Sequence, residues 1–322
     1  MVGLGGLGSQ TVIQLASMGV GSIRLIDRDV VELSNLHRQP LYDLYCLGYP
    51  KVEAAATRLK KMNPQVKTEL YPISLNERNA EETINGVDVV IDELDHIEPR
   101  YILNRACVKL GIPYIFGGAI ETFGNISTIL PHKTPCLECF MPGLTDVDLP
   151  TCSVVGVHPS ILGIISSLQI SEAAKIILGN QPSLANKFLF CDLRKLTFDE
   201  INISRRLNCP VCGDGGSLEQ SSKRRLVESV CGRGGRPAFV ITPKTNLKLN
   251  MSRLEQVLEE RRYKVKIKAH LGVTFDVDNR VTINILKSGV AIVEGLAKED
   301  DAVNLFKDIL HGGLGISLSR MG

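Results

Sequence analysis

Apolar positions in this chain recur with two periods, and the alternation between the periods predicts its elements. Val12, Leu15 and Met18 share one helical face just after the run Gly3-Leu4-Gly5-Gly6-Leu7-Gly8, which predicts a glycine turn opening a helix. A short apolar strand, Ile23 to Ile26, ends at Asp27. Lys51 opens a helical pattern that runs to about Met62, where Asn63-Pro64 stops it. Val66 to Leu70 reads as a second strand, followed by a polar helical stretch and a buried-type strand, Val87 to Asp92. Further on come a helix from Pro99 to about Leu110, a strand over 113–116 and a long helix from Pro159 to Ile177. Strands alternating with helices predict an α/β fold: a doubly wound, Rossmann-like, mostly parallel sheet.

Beyond Gly213 the pattern changes. A polar, glycine- and serine-rich stretch reads as a linker, and period-two alternation follows in Val265/Ile267, Val273/Phe275/Val277, Val281/Ile283/Ile285 and Val290/Ile292. Phe239-Val240-Ile241 is also strand-like, and Lys287-Ser288-Gly289 reads as a hairpin turn. Helical faces are expected at Met251/Leu254/Val257/Leu258 and Val303/Phe306/Leu310. The expected organisation is a first domain over 1–216, a linker over 217–236 and a small α+β domain with an antiparallel sheet over 237–322.

Composition narrows the class. A net charge of +2 across 322 residues gives no reason to expect nucleic-acid binding. The longest apolar stretch, Ile161 to Ile177, is interrupted by Ser166, Ser167, Gln169, Ser171, Glu172 and Lys175, so no membrane partner is expected. No basic leader with a long apolar run follows Met1, which makes a cytoplasmic location the expectation. A glycine loop of this kind ordinarily follows a complete buried strand. Only Met1 and Val2 precede this one, so the chain is expected to begin late and to bind its nucleotide weakly or not at all if that strand is missing.

The chemistry collects at the strand ends. Glycines let a backbone turn sharply against a phosphate, a helix N-terminus offers unpaired N–H donors, and Asp27 can hold a ribose hydroxyl. That pattern alone fits a nicotinamide-dependent oxidoreductase as well as an ATP-binding protein. The polar loop 28–39 adds acids, an amide and a fixed cation. Arg38 and Lys51 can neutralise a triphosphate, and Asp95, with Asp29 or Asp92, can bind Mg²⁺. Cys136-Leu137-Glu138-Cys139 and Cys209-Pro210-Val211-Cys212 present four thiolates on two turns, which suits tetrahedral structural Zn²⁺ better than redox chemistry. Cys152 lies in a loop ahead of the long helix, and reads either as a nucleophile or as a small buried hydrophobe. Cys46, Cys107, Cys191 and Cys231 have no distinguishing spacing.

Together, Gly3-Leu4-Gly5-Gly6-Leu7-Gly8, Asp27 and Asp29 with Asn35, Arg38 and Gln39, Lys51, Asp95 with Arg100 and Asn104, the two cysteine pairs, and Cys152 followed by Gly156 resemble the ubiquitin-activating enzyme superfamily. The likeness runs from Val2 to about Gly213 and is closest to the compact bacterial-type adenylyltransferases that activate the sulfur carriers of molybdopterin and thiamine synthesis. It implies that Gly3, Gly5, Gly6, Gly8 and Asp27 hold ATP, and that Asn35, Arg38, Gln39 and Lys51 contact its ribose and phosphates. Asp95 would serve Mg²⁺, and Cys136, Cys139, Cys209 and Cys212 would bind Zn²⁺. The reaction implied is adenylation of the C-terminal carboxylate of a ubiquitin-like or sulfur-carrier protein ending in Gly-Gly, by a homodimer. Arg38, Lys51, Asp95 and Cys152 are its candidate catalytic residues, with Cys152 forming a thioester.

The likeness leaves three points open. His96 stands where the family usually has asparagine. Relatives place an arginine that reaches the partner subunit's ATP in a segment preceding the glycine loop. The C-terminal extension is expected either to dimerise or stabilise the protein, or to dock a conjugating enzyme. The expectation is therefore an activator that hands its substrate to a conjugating partner, with a sulfur-carrier adenylyltransferase as the alternative. An oxidoreductase or an inactive scaffold subunit stands as the rival of another class.

Overall fold

The computed structural model describes residues 1–146, 155–214, 226–231 and 237–321. Its first sheet is built from β1 (Ser22–Ile26), β2 (Lys67–Tyr71), β3 (Val90–Asp92), β4 (Tyr114–Ile120), β5 (Phe123–Ile129), β6 (Lys187–Asp192) and β7 (Thr197–Asn202). β1 pairs with β2 and β3 with β4, both parallel. Residues 1–3 join these two pairs. The Val2 N–H donates to Ile91 O at 3.0 Å and the Gly3 N–H to Ile26 O at 2.8 Å, and Val2 bridges Ile26 on one side and Asp92 on the other in parallel sense. The glycine loop thus leaves the sheet between β1 and β3.

From β4 onward every pairing is antiparallel, so the sheet is parallel only in its first half. The reason is the connection: Glu121 and Thr122 alone link β4 to β5, far too short for a parallel crossover. The helices are α1 (Gly6–Ser17), α2 (Lys51–Met62), α3 (Ala80–Ile84), α4 (Ile97–Leu110), α5 (Leu137–Phe140) and α6 (Pro159–Ile177). β3 begins at Val90 rather than Val87 and β4 runs on to Ile120, and two helix boundaries also differ from expectation. Met18 lies past the end of α1 and is 59% exposed, and α4 starts at Ile97, with Pro99 tolerated in the first turn where no N–H partner is required. α6 is long and apolar enough to cross a membrane by length and composition. Here it is a core helix, packed on α1, β4 and β5 with Ile161, Leu162, Ile165 and Ile170 buried.

The second sheet runs β10-β11-β12-β13-β9-β8, with β8 (Val227–Cys231), β9 (Pro237–Ile241), β10 (Lys264–Lys268), β11 (Gly272–Asp276), β12 (Thr282–Leu286) and β13 (Ala291–Glu294) antiparallel throughout. Gly289, at φ +92°, sits in the turn between β12 and β13. β8 lies inside the span read as linker. Polar and glycine-rich neighbours obscure its alternation, and pairing with β9 is what makes it a strand. On one face α7 (Met251–Glu260) and α8 (Glu299–Lys307) bury Leu254, Val257, Leu258, Ala302 and Phe306. On the other face Val240, Leu286, Val290 and Ile292 close over Val30 of the first half.

Candidate nucleotide site and cysteine centre

Steric demand explains the glycine loop. Gly3 has φ +97°, and a Cβ there would meet the Glu93 carbonyl oxygen at 2.6 Å; one on Gly8 would meet the Gly3 oxygen at 2.2 Å. Only glycine lets α1 start so close to β3. A Cβ on Gly6 would strike Leu162 at 2.8 Å, whereas Gly5 faces nothing nearer than Gln39 Nε2 at 3.9 Å. Gly5 is the helix N-cap and makes no side-chain cap bond, so the first N–H groups of α1 are left to an anion.

Asp27 joins the loop to the crossover that follows β1. Its Oδ2 accepts the Leu4 N–H and its Oδ1 the Asp29 N–H, each at 2.7 Å. Burial raises the Asp27 carboxyl above the usual range, against the pull of nearby Lys51. Lys51, the first residue of α2, is 5% exposed, and its Nζ lies 2.9 Å from Asp29 Oδ2. Burial alone would lower the Lys51 pKa, but Asp29 and then Asp27 outweigh it and keep the ammonium charged. The buried cation is therefore held at the rim, where a triphosphate can take it.

The intervening loop is ordered from within. Asn35 Oδ1 accepts the Glu32 N–H at 3.1 Å, Arg38 Nη1 donates to Ser34 O at 2.8 Å, and Gln39 is buried with Oε1 unpartnered. Asp95 side-chain atoms are 73% exposed and accept from His96 Nδ1 at 2.8 Å. Arg100, from α4, clamps the turn that presents Asp95. It donates to Gly117 O at 2.8 Å and to Leu94 O, and stacks 4.7 Å over the Phe116 ring. The structure thus brings Gly3, Gly5, Gly8, Asp27, Asp29 and Lys51 together, with Asp95 close enough to act on the Lys51 charge. Among the described residues Arg38 is bonded only within its own loop, and Cys152 lies outside them.

Two residues that sequence reasoning passed over belong to this region. Glu93 Oε1 lies 2.7 Å from Thr11 Oγ1, which ties α1 to the end of β3. Burial, with Asp92 adding to it, pushes the Glu93 carboxyl up to about 8, against the opposing Thr11 hydrogen bond and Arg100 charge. Gln169, from α6, donates through Nε2 to Asp92 O at 3.2 Å, and among the described residues Glu93 Oε2 and Gln169 Oε1 are buried oxygens without a hydrogen-bond partner. The second is Arg28, whose Nη1 is 2.7 Å from Glu228 Oε2 and donates to Ser74 Oγ at 3.0 Å. Glu228 is more than 100 residues distant in the sequence, so no local signal could have paired them.

The cysteine pairs converge. All four Sγ atoms lie within 4.8 Å of one another and are buried, with Cys136–Cys209 at 3.6 Å and Cys139–Cys212 at 3.3 Å. Tetrahedral Zn²⁺ with Zn–S bonds of about 2.3 Å places its sulfurs roughly 3.8 Å apart, so the cluster fits the ion. Burial raises Cys136 far above the thiol range and Cys139 to about 11, with neighbouring thiols adding to both. Burial would also raise Cys209, but N–H donors from Cys212 and Val211 outweigh it and bring it down. Four buried thiolates need a cation to coexist. Asn104 Oδ1 holds the Leu137 N–H at 3.0 Å, and Arg105 grips Glu138 at 2.9 and 3.0 Å, fixing the turn that carries Cys136 and Cys139.

The chain is similar to known proteins. The sulfur carrier protein adenylyltransferase of Thermus thermophilus is 36% identical over 241 residues, covering 72% of this chain and 87% of that protein. The SAMP-activating enzyme E1 of Haloferax volcanii is 36% identical over 217 residues, 67% of this chain and 80% of its own. Adenylyltransferase and sulfurtransferase MOCS3 of Aedes aegypti is 37% identical over 220 residues, but only 50% of its length is spanned. Among solved structures, E. coli MccB with ATP superposes at TM-score 0.59 and 25% identity, over 66% of this chain and 64% of that one. The ThiF family profile matches residues 1–211. Because that match takes in every strand of the first sheet and both cysteine pairs but for the last thiol, this chain is a member of the ThiF family.

Proposed function

We propose that this chain catalyses ATP-dependent adenylation of the C-terminal carboxylate of a small sulfur-carrier or ubiquitin-like protein ending in Gly-Gly. The observation that carries the reading is the buried Lys51 ammonium held on half-exposed Asp29 beside the glycine loop, in a chain whose relatives are named adenylyltransferases and activating enzymes. A hydride-transfer enzyme has no use for that cation.

In the reaction a carboxylate oxygen attacks the α-phosphorus, the α–β bridging bond breaks, and pyrophosphate leaves with its electron pair. The protein positions the groups and neutralises developing charge. The N–H groups at the start of α1 and the Lys51 ammonium meet the phosphates, and Asp27 and Gln39 border the nucleoside side of the loop. Asp95, with Asp29, supplies the hard oxygen donors suited to Mg²⁺, which offsets phosphate charge when bound. The four cysteines would hold Zn²⁺ as a staple between the turns following β5 and β7, away from the reacting atoms.

Sulfur-carrier activation ranks ahead of conjugation, since two of the three relatives are named for sulfur chemistry. The test is ATP–pyrophosphate exchange with Mg²⁺ and candidate carriers. Exchange that depends on the carrier's Gly-Gly terminus supports the reading, and exchange absent with every carrier sinks it. A hydroxylamine-sensitive adduct at Cys152 would favour thioester transfer to a conjugating enzyme instead.

A further inference from the structure

The C-terminal sheet grips both ends of the loop that carries the nucleotide-site residues. At the loop's start, Val30 is buried among Val240, Leu286, Val290 and Ile292, and Arg28 pairs with Glu228 of β8. At its end, Thr274 Oγ1 donates to Gly48 O at 2.7 Å, and Glu53 accepts the His270 and Leu271 N–H groups at 3.0 and 2.8 Å. Asp29 and Lys51 each stand within two residues of these anchors. Alongside, Ser288 Oγ donates to Pro72 O at 2.5 Å, just past β2. All of these holding groups lie beyond residue 211, outside the ThiF match.

Arg28 is the sensitive point. Its backbone stands between Asp27 and Asp29, and its side chain is 22% exposed. It points to Glu228 and Ser74, yet Asp29 and Asp95 are near enough to act on its charge. A guanidinium released from Glu228 would be drawn towards these two carboxylates, the same two that suit Mg²⁺. We infer that Glu228 of the C-terminal sheet is a positioning residue: by holding Arg28 on β8 it keeps the guanidinium off Asp29 and Asp95, leaving those carboxylates to Lys51, His96 and the divalent cation. The inference rests on the adenylation reading for its purpose, but it is decided by metal binding.

The experiment measures Mn²⁺ binding to the full chain in the presence of ATP, by electron paramagnetic resonance, beside the exchange assay. Glu228→Gln should weaken Mn²⁺ binding about tenfold, and adding Arg28→Met should restore it, because the competing cation is then gone. Thr274→Val, which cuts another contact of the same interface, should lower the melting temperature without moving Mn²⁺ binding. If Glu228→Gln does not fold, Arg28→Met alone still decides, since it must bind Mn²⁺ at least as tightly as the unaltered chain.

The inference is overturned by unchanged binding in Glu228→Gln, by failed rescue in the double variant, or by an equal loss in Thr274→Val. Tighter ATP binding in Glu228→Gln overturns it too, since Arg28 would then be a phosphate ligand in waiting. Normal Mn²⁺ and ATP binding with no exchange on any carrier would sink the adenylation reading while leaving Glu228 assigned.

Discussion

In the first sheet, parallel strands deliver their carboxyl ends to one rim; in the second, antiparallel strands alternate direction, and their turns fall at both ends. The consequence is visible in what each gathers. The glycine loop after Val2, Asp27 after β1 and Asp95 after β3 meet at one edge of the first sheet. The second sheet collects no such cluster among the described residues. It buries one face under α7 and α8 and presses the other against Val30, holding the loops of its neighbour. One topology makes the site, and the other makes a support for it.

The sharpest way to break this comparison is Lys51→Ala. Pyrophosphate exchange should fall about 10²–10³-fold, as for loss of one preorganised charge-stabilising group, while circular dichroism stays unchanged. Near-normal exchange would mean the rim is not the site. Cys212→Ser tests whether the four-cysteine cluster holds a metal that the first sheet depends on: mass spectrometry under native conditions should show one zinc per chain before the change and none after it, with a melting temperature lower by about 10 °C.

Glu93→Gln probes the rim through pH. Glu93 has its pKa raised to about 8 from 4.5, so its contribution to stability is complete below pH 4.5 and is lost as pH rises towards 8. The glutamine variant should therefore match the unaltered protein near pH 4.5 and exceed it near pH 8, by up to about 4 kcal/mol in denaturant titrations. A constant difference across that window would show Glu93 to be ionised in the folded state. The smallest effect is expected from Thr274→Val in the supporting sheet, about 1–3 kcal/mol of stability from losing a buried hydroxyl that meets both Gly48 O and Asn284 Oδ1, with the exchange rate unchanged.

Much of this was legible without coordinates. Periodicity placed α2 from Lys51 to Met62 and α6 from Pro159 to Ile177, because a helix buries one stripe and proline and asparagine mark its ends. The two C-x-x-C pairs announced a common cluster able to hold a metal, since three-residue spacing on a turn brings two thiolates to one side. Met18 escaped because it shares the apolar stripe of α1 but falls one residue beyond its end, into solvent. β8 escaped because an edge strand is defined by its partner more than by its composition.

By itself, then, the sequence determined the local elements, the glycine turn that only Gly3 and Gly8 can form, and the set of residues able to meet a nucleotide or a metal. Those properties depend on neighbours in the chain, where spacing and side-chain chemistry are already printed. Tertiary structure alone decided that Lys51 is buried on Asp29, that Glu93 faces Thr11 across 82 positions, and that Glu228 holds Arg28 from another sheet. Each is a contact between elements that only packing brings together, and burial then sets its charge state.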